Sequence, residues 1–424
     1  MRFLVFLCLL FSCSGQTITS KKKYNFSVLQ GSTDHESTVI RVVYPKLLKT
    51  HYEITDNKNN IVESFKVQSF QHQGSEFKVD HLLISKLKSK TDYHLKVSSP
   101  QKNWNETRIF KTLDLEKSSY DILVASCMSD TYNQIGDIIW PQAFSLGPDI
   151  TFLIGDNLYA DVYSGVYLGS LIQTSPDHLW ARHVDHAMNL AIYKQKRLIP
   201  TFTIWDDHDY GINDGGNKYQ YKKESLSIYQ TFFPAKTNSI FETSKWGLSS
   251  TLKLQNTLFH FLDGRYYKGT PKEKNSHQFH PNQLTWLYQN IKTSEQNWII
   301  SGTQFFGGYH PYESFEGHHP EQFKSFIKKL SSLNKQYQFL SGDRHLIEVM
   351  KIPQSKLPKS SYEFTVSGVH SKMYPGSLKR SPNKYRINGF DGIANFGIIN
   401  FGNRKSTFKA YKINESKPEI TMSF

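Results

Sequence analysis

One short segment of the chain places several charged side chains directly after an apolar stretch. The segment 201–216, TFTIWDDHDYGINDGG, runs from a β-like stretch into Asp206, Asp207, His208 and Asp209. Carboxylates this close together repel each other where water is partly excluded, so a folded protein tolerates them mainly around a cation. The segment therefore predicts part of a metal site whose remaining ligands come from elsewhere in the chain.

Other apolar stretches end in residues of the same kinds. DILVASC ends in Cys127, and DITFLIGDNLYAD contains Asp156, Tyr159 and Asp161. QNWIISGTQ ends in Gln304, and YQFLSGDRH ends with Asp343 and His345. In open α/β sheets the functional crevice lies outside the carboxyl ends of the strands, so residues just past neighbouring strands converge there. Gly155 and Gly342 precede two of the aspartates and permit sharp exits from the strands.

The donor types divide into two chemical classes. Thiolate, phenolate and imidazole suit a transition metal, whereas carboxylates and amides suit harder ions such as calcium. Cys127 has two readings, a small buried hydrophobic residue or a metal ligand. Cys8 and Cys13, the other two cysteines, lie in the N-terminal leader, so Cys127 has no partner for an internal disulfide in the mature chain.

The elements that must position these residues differ between two parts of the chain. Residues 118–424 alternate apolar strands with amphipathic stretches, which predicts an α/β catalytic domain. Within it, HPNQLTWLYQNIKTS and PEQFKSFIKKLSSLNK have the spacing of helices that cover a sheet. Residues 21–115 read as short alternating strands, which predicts a small all-β sandwich with a structural role. Its segment LKSKTDYHLKV resembles the tyrosine corner of fibronectin type III domains.

The N-terminus, MRFLVFLCLLFSCSGQTITS, has the layout of a secretory signal peptide over residues 1–15 and is too short to span a bilayer. LFSC also resembles a lipoprotein box, so cleavage with a lipid anchor at Cys13 and cleavage after Gly15 both stay open. No later segment is apolar enough to cross a membrane. We expect an exported protein that is periplasmic, extracellular or anchored by lipid at the cell surface.

The charge distribution bears on the kind of partner. Lys and Arg number 51 against 37 Asp and Glu, a formal net charge of +14. The basic residues are spread without a dense tract, which argues against a specific nucleic-acid partner. A diffuse positive field would still attract small anionic substrates. We expect a monomer.

Four sequence blocks together resemble a known family. ASC, GDNLYAD, WDDHDYGINDGG and SGDRH, in this order, are similar to the alkaline phosphatase D family, the PhoD-like branch of the calcineurin-type metallophosphoesterases. The resemblance covers about residue 118 to the end, and the N-terminal β domain is also similar to that family's. It implies a calcineurin-like sandwich of two sheets flanked by helices, with a di- or trinuclear metal centre at its edge, preceded by a fibronectin III-like domain.

The resemblance also implies the ligands. Wider metallophosphoesterases begin with Asp-x-His on the first strand, whereas this chain has Cys127 there. In the PhoD-like branch a cysteine thiolate and a tyrosine phenolate bind ferric iron beside calcium, which matches Cys127 and Tyr159. Manganese or zinc could replace these ions. The further ligands implied are Asp156 as the bridging carboxylate, Asp207 and Asp343 for the second ion, and His345 for the iron.

The same resemblance implies the catalytic group. His208 stands where the wider superfamily has its catalytic histidine, so it would give a proton or hydrogen bond to the leaving group. Asp207 stands where that superfamily has Asn, and its extra negative charge favours a harder or more highly charged set of metals.

For several neighbouring residues the sequence allows two roles. Asp206 is expected beside the ligands rather than among them, because adjacent residues rarely point the same way. Asn213 and Asp214 either bind an outer calcium or shape the turn. Arg344 holds either a phosphate oxygen or a nearby carboxylate. The histidines outside the matching motifs are left as surface or pocket residues; they are His183, His186, His318 and His319.

The expected activity is hydrolysis of phosphomonoesters or phosphodiesters by metal-bound hydroxide. Two adjacent metal ions would neutralise the phosphate oxygens, supply the hydroxide and stabilise the leaving oxygen. A non-catalytic exported surface protein that binds metal or phosphate is the alternative. A serine hydrolase would need a Gly-x-Ser-x-Gly elbow, and the sequence has none.

Overall fold

The structure is a computed structural model that describes residues 26–102, 104–163, 166–168, 172–271, 273–402 and 405–424, with the side chains of Lys102 and Tyr167 left aside. The predicted signal peptide and the lipid-anchor position Cys13 lie outside the described residues. Within the described part of the chain, no helix combines the length and apolar character needed to cross a membrane.

The first part of the described chain is built from antiparallel strands. The strands are β1 (Ser27–Thr33), β2 (Thr38–Pro45), β3 (His51–Asp56), β4 (Phe65–Gln71), β5 (Phe77–Ile84), β6 (Asp92–Ser99) and β7 (Trp104–Lys111). A 3₁₀ turn at Pro100–Lys102 connects β6 to β7. They form a four-stranded sheet in the order β1-β2-β5-β4 and a three-stranded sheet in the order β3-β6-β7. Ile40 and Leu82 of the first sheet share one buried core with Leu95 and Phe110 of the second.

The tyrosine-corner feature expected from the sequence is present. The hydroxyl of Tyr93 accepts a hydrogen bond from the backbone N–H of Lys88 at 2.7 Å, and its ring stacks on Phe110 with centroids 5.3 Å apart. β1 was not predicted, because all seven of its residues are buried and it shows no apolar–polar alternation. It is covered on one side because Leu29 joins the large core of the following part of the chain.

The remaining residues form a mixed α/β arrangement. The larger strands and helices are β8 (Ser119–Ala125), α1 (Asn133–Ser145), β9 (Ile150–Ile154), β10 (Val162–Tyr163), β11 (Val166–Tyr167), α2 (Pro176–Asn189), β12 (Thr201–Ile204), α3 (Asp207–Tyr210), α4 (Lys222–Phe232), β13 (Phe241–Thr243), β14 (Ser250–Leu254), β15 (Thr257–Phe261), α5 (Pro281–Ile291), β16 (Gln296–Ser301), α6 (Phe315–His318), α7 (Pro320–Leu333), β17 (Gln336–Ser341), β18 (Leu346–Ile352), β19 (Ser361–Val366), α8 (Ser377–Arg380), β20 (Arg386–Asp391), β21 (Asn395–Gly402), β22 (Thr407–Lys412) and β23 (Ile420–Ser423). The mixed α/β class predicted from the sequence is confirmed at this level. The two helices predicted from their spacing are α5 and α7.

Two large sheets organise this part. One has six strands in the order β12-β9-β8-β21-β22-β23, and the other has eight in the order β13-β14-β15-β16-β17-β19-β18-β20. Phe152 of β9 meets Phe259 and Phe261 of β15 edge to face, with centroids 5.4 and 5.1 Å apart. This aromatic contact joins the two sheets in one core. On the other face of the larger sheet, α5 and α7 pack through Leu287 and Phe326.

The parallel strands of both sheets end close together. β8, β9 and β12 are parallel in the smaller sheet, and β15, β16, β17 and β19 are parallel in the larger one. A Cβ on Gly155, after β9, would lie 2.9 Å from the Cα of Gly302, after β16. The carboxyl ends of strands from two sheets therefore meet at one edge of the molecule.

We expect Phe152→Ala to lower the free energy of unfolding by about 3–5 kcal/mol, because it empties the contact between the sheets. Urea denaturation measures the loss. The matched control is Val67→Ala on β4, where the side chain is 45% exposed and the change should stay within about 0.5 kcal/mol. Equal stability of the two variants would contradict a shared core between the sheets.

Candidate metal centre

Four of the predicted ligands leave their strands through left-handed backbone. The φ angles are 59° at Cys127, 51° at Asp156, 67° at Asp343 and 52° at His345. Residues other than glycine adopt this region at a cost, and such positions cluster at functional sites. Backbone hydrogen bonds hold the first two, since the N–H of Cys127 donates to Gly155 O at 3.2 Å and that of Met128 donates to Asp156 O at 2.7 Å.

The glycines before two aspartates allow the strand ends to approach closely. Gly155 has φ 98°, and a Cβ there would lie 2.8 Å from the Cβ of Asp206. Gly342 is tight for a different reason, because a Cβ there would lie 2.7 Å from Ile154 O. Any larger residue at either position would push two strand ends apart. Both glycines therefore bring carboxylates from different strands together.

The structure brings the predicted soft ligands into one group. Ligand atoms of Cys127, Asp156 and His345 all lie within 4.8 Å of one another, and Cys127 Sγ is 3.3 Å from Asp156 Oδ2. Tyr159 joins them, since its hydroxyl is 3.0 Å from His345 Nε2. Its ring also stacks on His208 with centroids 4.1 Å apart. Thiol, phenol, imidazole and carboxylate thus face one another.

The carboxylates form two further groups that overlap with the first. Asp156, Asp207 and His208 present ligand atoms within 4.8 Å of one another, and so do Asp206, Asp207 and Asp343. Asp156 belongs to the soft group and to one carboxylate group, while Asp207 belongs to both carboxylate groups. This overlap is the arrangement that adjacent cations sharing bridging ligands require.

The charges at the centre fit a cation. Burial, and then the neighbouring Cys127, raise the pKa of Asp156 well above its usual value, and burial followed by Asp206 and Asp207 does the same to the pKa of Asp343. Burial also raises the pKa of the Cys127 thiol to about 11. Asp156 Oδ1 is buried without a hydrogen-bond partner among the described residues. A metal ion would stabilise all of these groups in their ionised forms.

Arg265, which sequence reasoning did not identify, supplies a positive charge inside the centre. Its side chain is fully buried, and Nε lies 2.5 Å from Asp206 Oδ1. Its Nη2 lies 3.6 Å from Asp207 Oδ1 and donates to Thr303 Oγ1 at 3.1 Å. Although burial opposes ionisation, Arg265 and then His208 lower the pKa of Asp207. The sequence carried no signal for Arg265, because the segment DGRYY follows β15 without any clustering of ligand types.

Asp206 uses its two oxygens differently. Oδ1 accepts from Arg265 and from Thr303 Oγ1, the latter at 3.1 Å. Oδ2 is buried without a hydrogen-bond partner among the described residues. The residue was expected beside the ligands rather than among them. The structure places Oδ1 on the Arg265 guanidinium, and one carboxylate oxygen of Asp206 lies within 4.8 Å of ligand atoms of Asp207 and Asp343.

A third acidic group includes Glu313, which sequence reasoning also missed. Asp207, Asp214 and Glu313 offer ligand atoms within 4.8 Å of one another. The Lys268 ammonium contacts the Glu313 carboxylate and donates to Asp214 O at 2.8 Å. Glu313 Oε2 also lies 2.7 Å from Arg265 Nη2. The chain's own cations therefore balance Glu313, while Asp214 is exposed in the turn that also contains the half-buried Asn213.

His208 is oriented by a buried carboxylate. Its Nδ1 lies 2.9 Å from Oδ2 of Asp161, whose side chain has no exposed surface. Burial opposes protonation of the imidazole, but Asp207, Asp156 and Asp161 together raise the pKa of His208 well above its usual value. The Asp161 contact restricts the orientation of the ring, and His208 has a ligand atom within 4.8 Å of those of Asp156 and Asp207.

Arg344 has no carboxylate within ion-pair distance in the part of the chain that the structure describes. Its Nη1 lies 2.8 Å from Nδ1 of His310, and its Cζ lies 4.5 Å from the ring centroid of Tyr312. Burial, and then Arg344 itself, lower the pKa of His310 to about 3. The guanidinium is thus held by a neutral imidazole and an aromatic face, and its charge acts on the adjacent Asp343 carboxyl without a direct ion pair among the described residues. Of the two readings from the sequence, contact with a carboxylate is not observed.

The histidines left as surface or pocket residues need a correction. His183 and His186 are 3% and 2% exposed, so neither lies at the surface. His183 stacks on Phe232 with centroids 4.7 Å apart. His319 is also buried, with Nδ1 3.2 Å from Ser276 Oγ, and His318 is half-buried with Nδ1 3.9 Å from Glu313 Oε1. Their burial was missed because helix periodicity in mixed polar segments does not show which face is covered.

Comparison with known proteins supports the fold and not the sequence family. No family model matches the chain, and no curated protein matches it. Thirteen chains of solved structures do match. One of them, titled "Structure of PhoD", has a TM-score of 0.70 at 15% identity and covers 96% of this chain and 90% of its own. The chain therefore has a PhoD-like fold, with groups of residues at the strand ends that could bind metal.

We expect Asp156→Asn to weaken the binding of added Mn²⁺ roughly 10-fold or more, because the residue is shared between two ligand groups. Electron paramagnetic resonance of free Mn²⁺ measures this affinity. The control is Asp121→Asn. Asp121 lies near the start of β8, and its Oδ1 accepts from Asn400 at 2.8 Å, so this change should leave Mn²⁺ binding intact. Equal Mn²⁺ affinity in the two variants would show that Asp156 is not a ligand.

Proposed function

We propose that this protein hydrolyses phosphomonoesters or phosphodiesters at the centre formed by the two sheets. One observation carries the proposal: the ligand groups overlap through Asp156 and Asp207 at the strand ends, in a PhoD-like fold. A single structural ion would need only one closed set of ligands. Overlapping groups suit adjacent cations, which is the arrangement used to hydrolyse phosphate esters.

The residues present divide between two metal positions. We assign Cys127, Tyr159 and His345 to a ferric ion, Asp207 and Asp343 to a calcium ion, and Asp156 to both. Manganese or zinc would suit the same donors less selectively. When bound, such a pair of ions neutralises phosphate charge and activates water.

Arg344 is the residue that we assign to the substrate. Its guanidinium follows Asp343 directly and has no carboxylate partner among the described residues, so its charge is available to an anion. Tyr312 and His310 hold it without neutralising it. A planar guanidinium donates two parallel hydrogen bonds to phosphate oxygens, which fixes the ester in orientation as well as in place.

His208 is the residue that we assign to the leaving group. Asp161 contacts its Nδ1 at 2.9 Å, so the protonated imidazole carries its second proton on Nε2, which is the atom that we assign to the leaving group. The stacked ring of Tyr159 limits rotation of the imidazole. A donor fixed in this way can deliver a proton to the departing oxygen without first reorganising.

The decisive experiment combines elemental analysis of purified protein with turnover of p-nitrophenyl phosphate and bis-p-nitrophenyl phosphate. We expect bound metal and activity on at least one ester, and His208→Ala should lower turnover of an alkyl phosphate roughly 10²- to 10⁴-fold with its metal retained. His178→Ala is the control, because that imidazole contacts Val162 O at 3.0 Å outside the ligand groups. Bound metal without turnover of any ester would favour the non-catalytic metal-binding alternative.

The ferric assignment predicts a coloured protein. Phenolate and thiolate bound to ferric iron absorb visible light by charge transfer, so aerobically purified protein should show a visible band. Tyr159→Phe should shift or bleach this band, and Cys127→Ser should reduce iron content while the circular dichroism spectrum stays unchanged. A colourless, iron-free and fully active wild-type protein would reject the ferric assignment and leave a phosphatase that uses other ions.

We further propose that the protein is exported and acts as a monomer. The signal-peptide layout of residues 1–15 supports export, with either a lipid anchor at Cys13 or cleavage after Gly15. Mass spectrometry of the mature N-terminus distinguishes these two forms.

A further inference from the structure

A cluster of ion pairs lies next to the segments that carry Cys127 and Tyr159, which are called the soft side of the metal centre below. Arg182 and His186, one turn apart on α2, both contact the carboxylate of Asp130: Arg182 Nη2 lies 2.7 Å and His186 Nε2 lies 3.2 Å from Asp130 Oδ1. Arg182 is 8% exposed and His186 is 2% exposed. The Asp130 side chain is 17% exposed. Burying the two basic groups costs free energy of desolvation, which their contacts with Asp130 offset in the folded state.

The cluster is tied to the segment that carries Cys127. Asp130 begins the short 3₁₀ turn Asp130–Tyr132, three residues after Cys127. This segment runs beside His370, because the N–H of Ser129 donates to His370 O at 2.9 Å, and His370 Nδ1 lies 2.9 Å from Ser129 O. The backbone from Cys127 to Asp130 is therefore fixed at both ends, by Asp156 at the first and by the ion pair at the second.

The same arginine is also tied to the segment that carries Tyr159. Arg182 Nε donates to the backbone carbonyl of Tyr159 at 3.3 Å, while its Nη2 donates to Asp130. Cys127 follows β8 and Tyr159 follows β9, so one guanidinium bridges the exits of two neighbouring strands. The guanidinium makes these contacts through two different nitrogens, whereas a lysine ammonium would have to make both from one nitrogen.

We propose that Asp130 and Arg182 are positioning residues that hold Cys127 and Tyr159 in one coordination sphere and thereby set the metal affinity of the soft side. The inference rests on the proposed function, because it takes Cys127 and Tyr159 as ligands. Neither positioning residue belongs to a ligand group of the described residues. Residues that orient ligands in this way typically change metal affinity by roughly 10- to 100-fold when replaced.

The first test is Arg182→Lys, which keeps the positive charge but removes the two separate nitrogens that contact the two segments. We expect roughly 10- to 100-fold weaker iron retention against a chelator, together with a shifted visible band. Calcium binding should weaken less than iron retention, because Asp207 and Asp343 are assigned to the calcium ion alone, whereas Asp156, which contacts the Cys127 segment, is assigned to both ions.

The second test is Asp130→Asn with Asp149→Asn as its matched control. Asp149 directly precedes β9, at the end of this strand that lies away from Asp156 and Tyr159. Its Oδ2 lies 2.5 Å from Lys117 Nζ and accepts a hydrogen bond from the Asp121 N–H at 2.9 Å. Both changes neutralise a carboxylate that holds a basic side chain. Asp130→Asn should weaken iron retention and shift the band, whereas Asp149→Asn should lower only the thermal midpoint.

The outcomes separate this inference from the proposed function. If the wild-type protein takes up no metal and hydrolyses no ester, both fail. If it binds iron and is active, but Arg182→Lys and Asp130→Asn keep the wild-type iron affinity and spectrum, the positioning role alone is overturned. Loss of thermal stability equal to that of Asp149→Asn, with iron affinity preserved, would likewise reduce the cluster to packing.

Discussion

Repulsion among buried carboxylates is the constraint on which the rest of the structure depends. Asp156, Asp207 and Asp343 come from three strands and two sheets. Asp156 and Asp207 are 1% and 3% exposed, and Asp343 is half-buried. Each would be costly to bury in its charged form without a partner. Arg265 offsets part of this cost through Asp206 and Asp207. The remaining negative charge, with the unpartnered Asp156 Oδ1, is what a cation would satisfy.

The same constraint explains why the strand exits are strained. A side chain that follows a strand in extended backbone points to one face of the sheet or the other. The left-handed turns at Cys127, Asp156, Asp343 and His345 redirect these side chains toward the gap between the sheets. The strain persists because neighbouring groups fix it, as when the Ser367 hydroxyl accepts the backbone N–H of His345 at 2.7 Å. The strained backbone at these four residues is therefore the cost of bringing the ligand side chains together.

The sequence predicted the residues that follow apolar runs, and the structure brings these residues together. The sequence carried no signal where charge is supplied from irregular loops. Cys127, Asp156 and His345 were visible because the runs before them have the length of buried strands. Arg265 and Glu313 were not, because a single Arg or Glu in a loop looks like any solvated residue until a fold brings it to Asp207. β1 was missed for the opposite reason, since both of its faces are buried and the period of two disappears.

The two arginines at the centre show how burial and pairing separate structural charge from functional charge. Arg265 has no exposed surface and faces three carboxylates, so its charge is consumed inside the protein and it cannot receive a substrate. Arg344 is half-buried and is held by a neutral imidazole and by Tyr312, which is 54% exposed. Among the described residues no carboxylate lies within ion-pair distance of Arg344, so a bound anion would gain a direct contact with its guanidinium. This difference in pairing supports our proposal that Arg344, rather than Arg265, binds the substrate's phosphate.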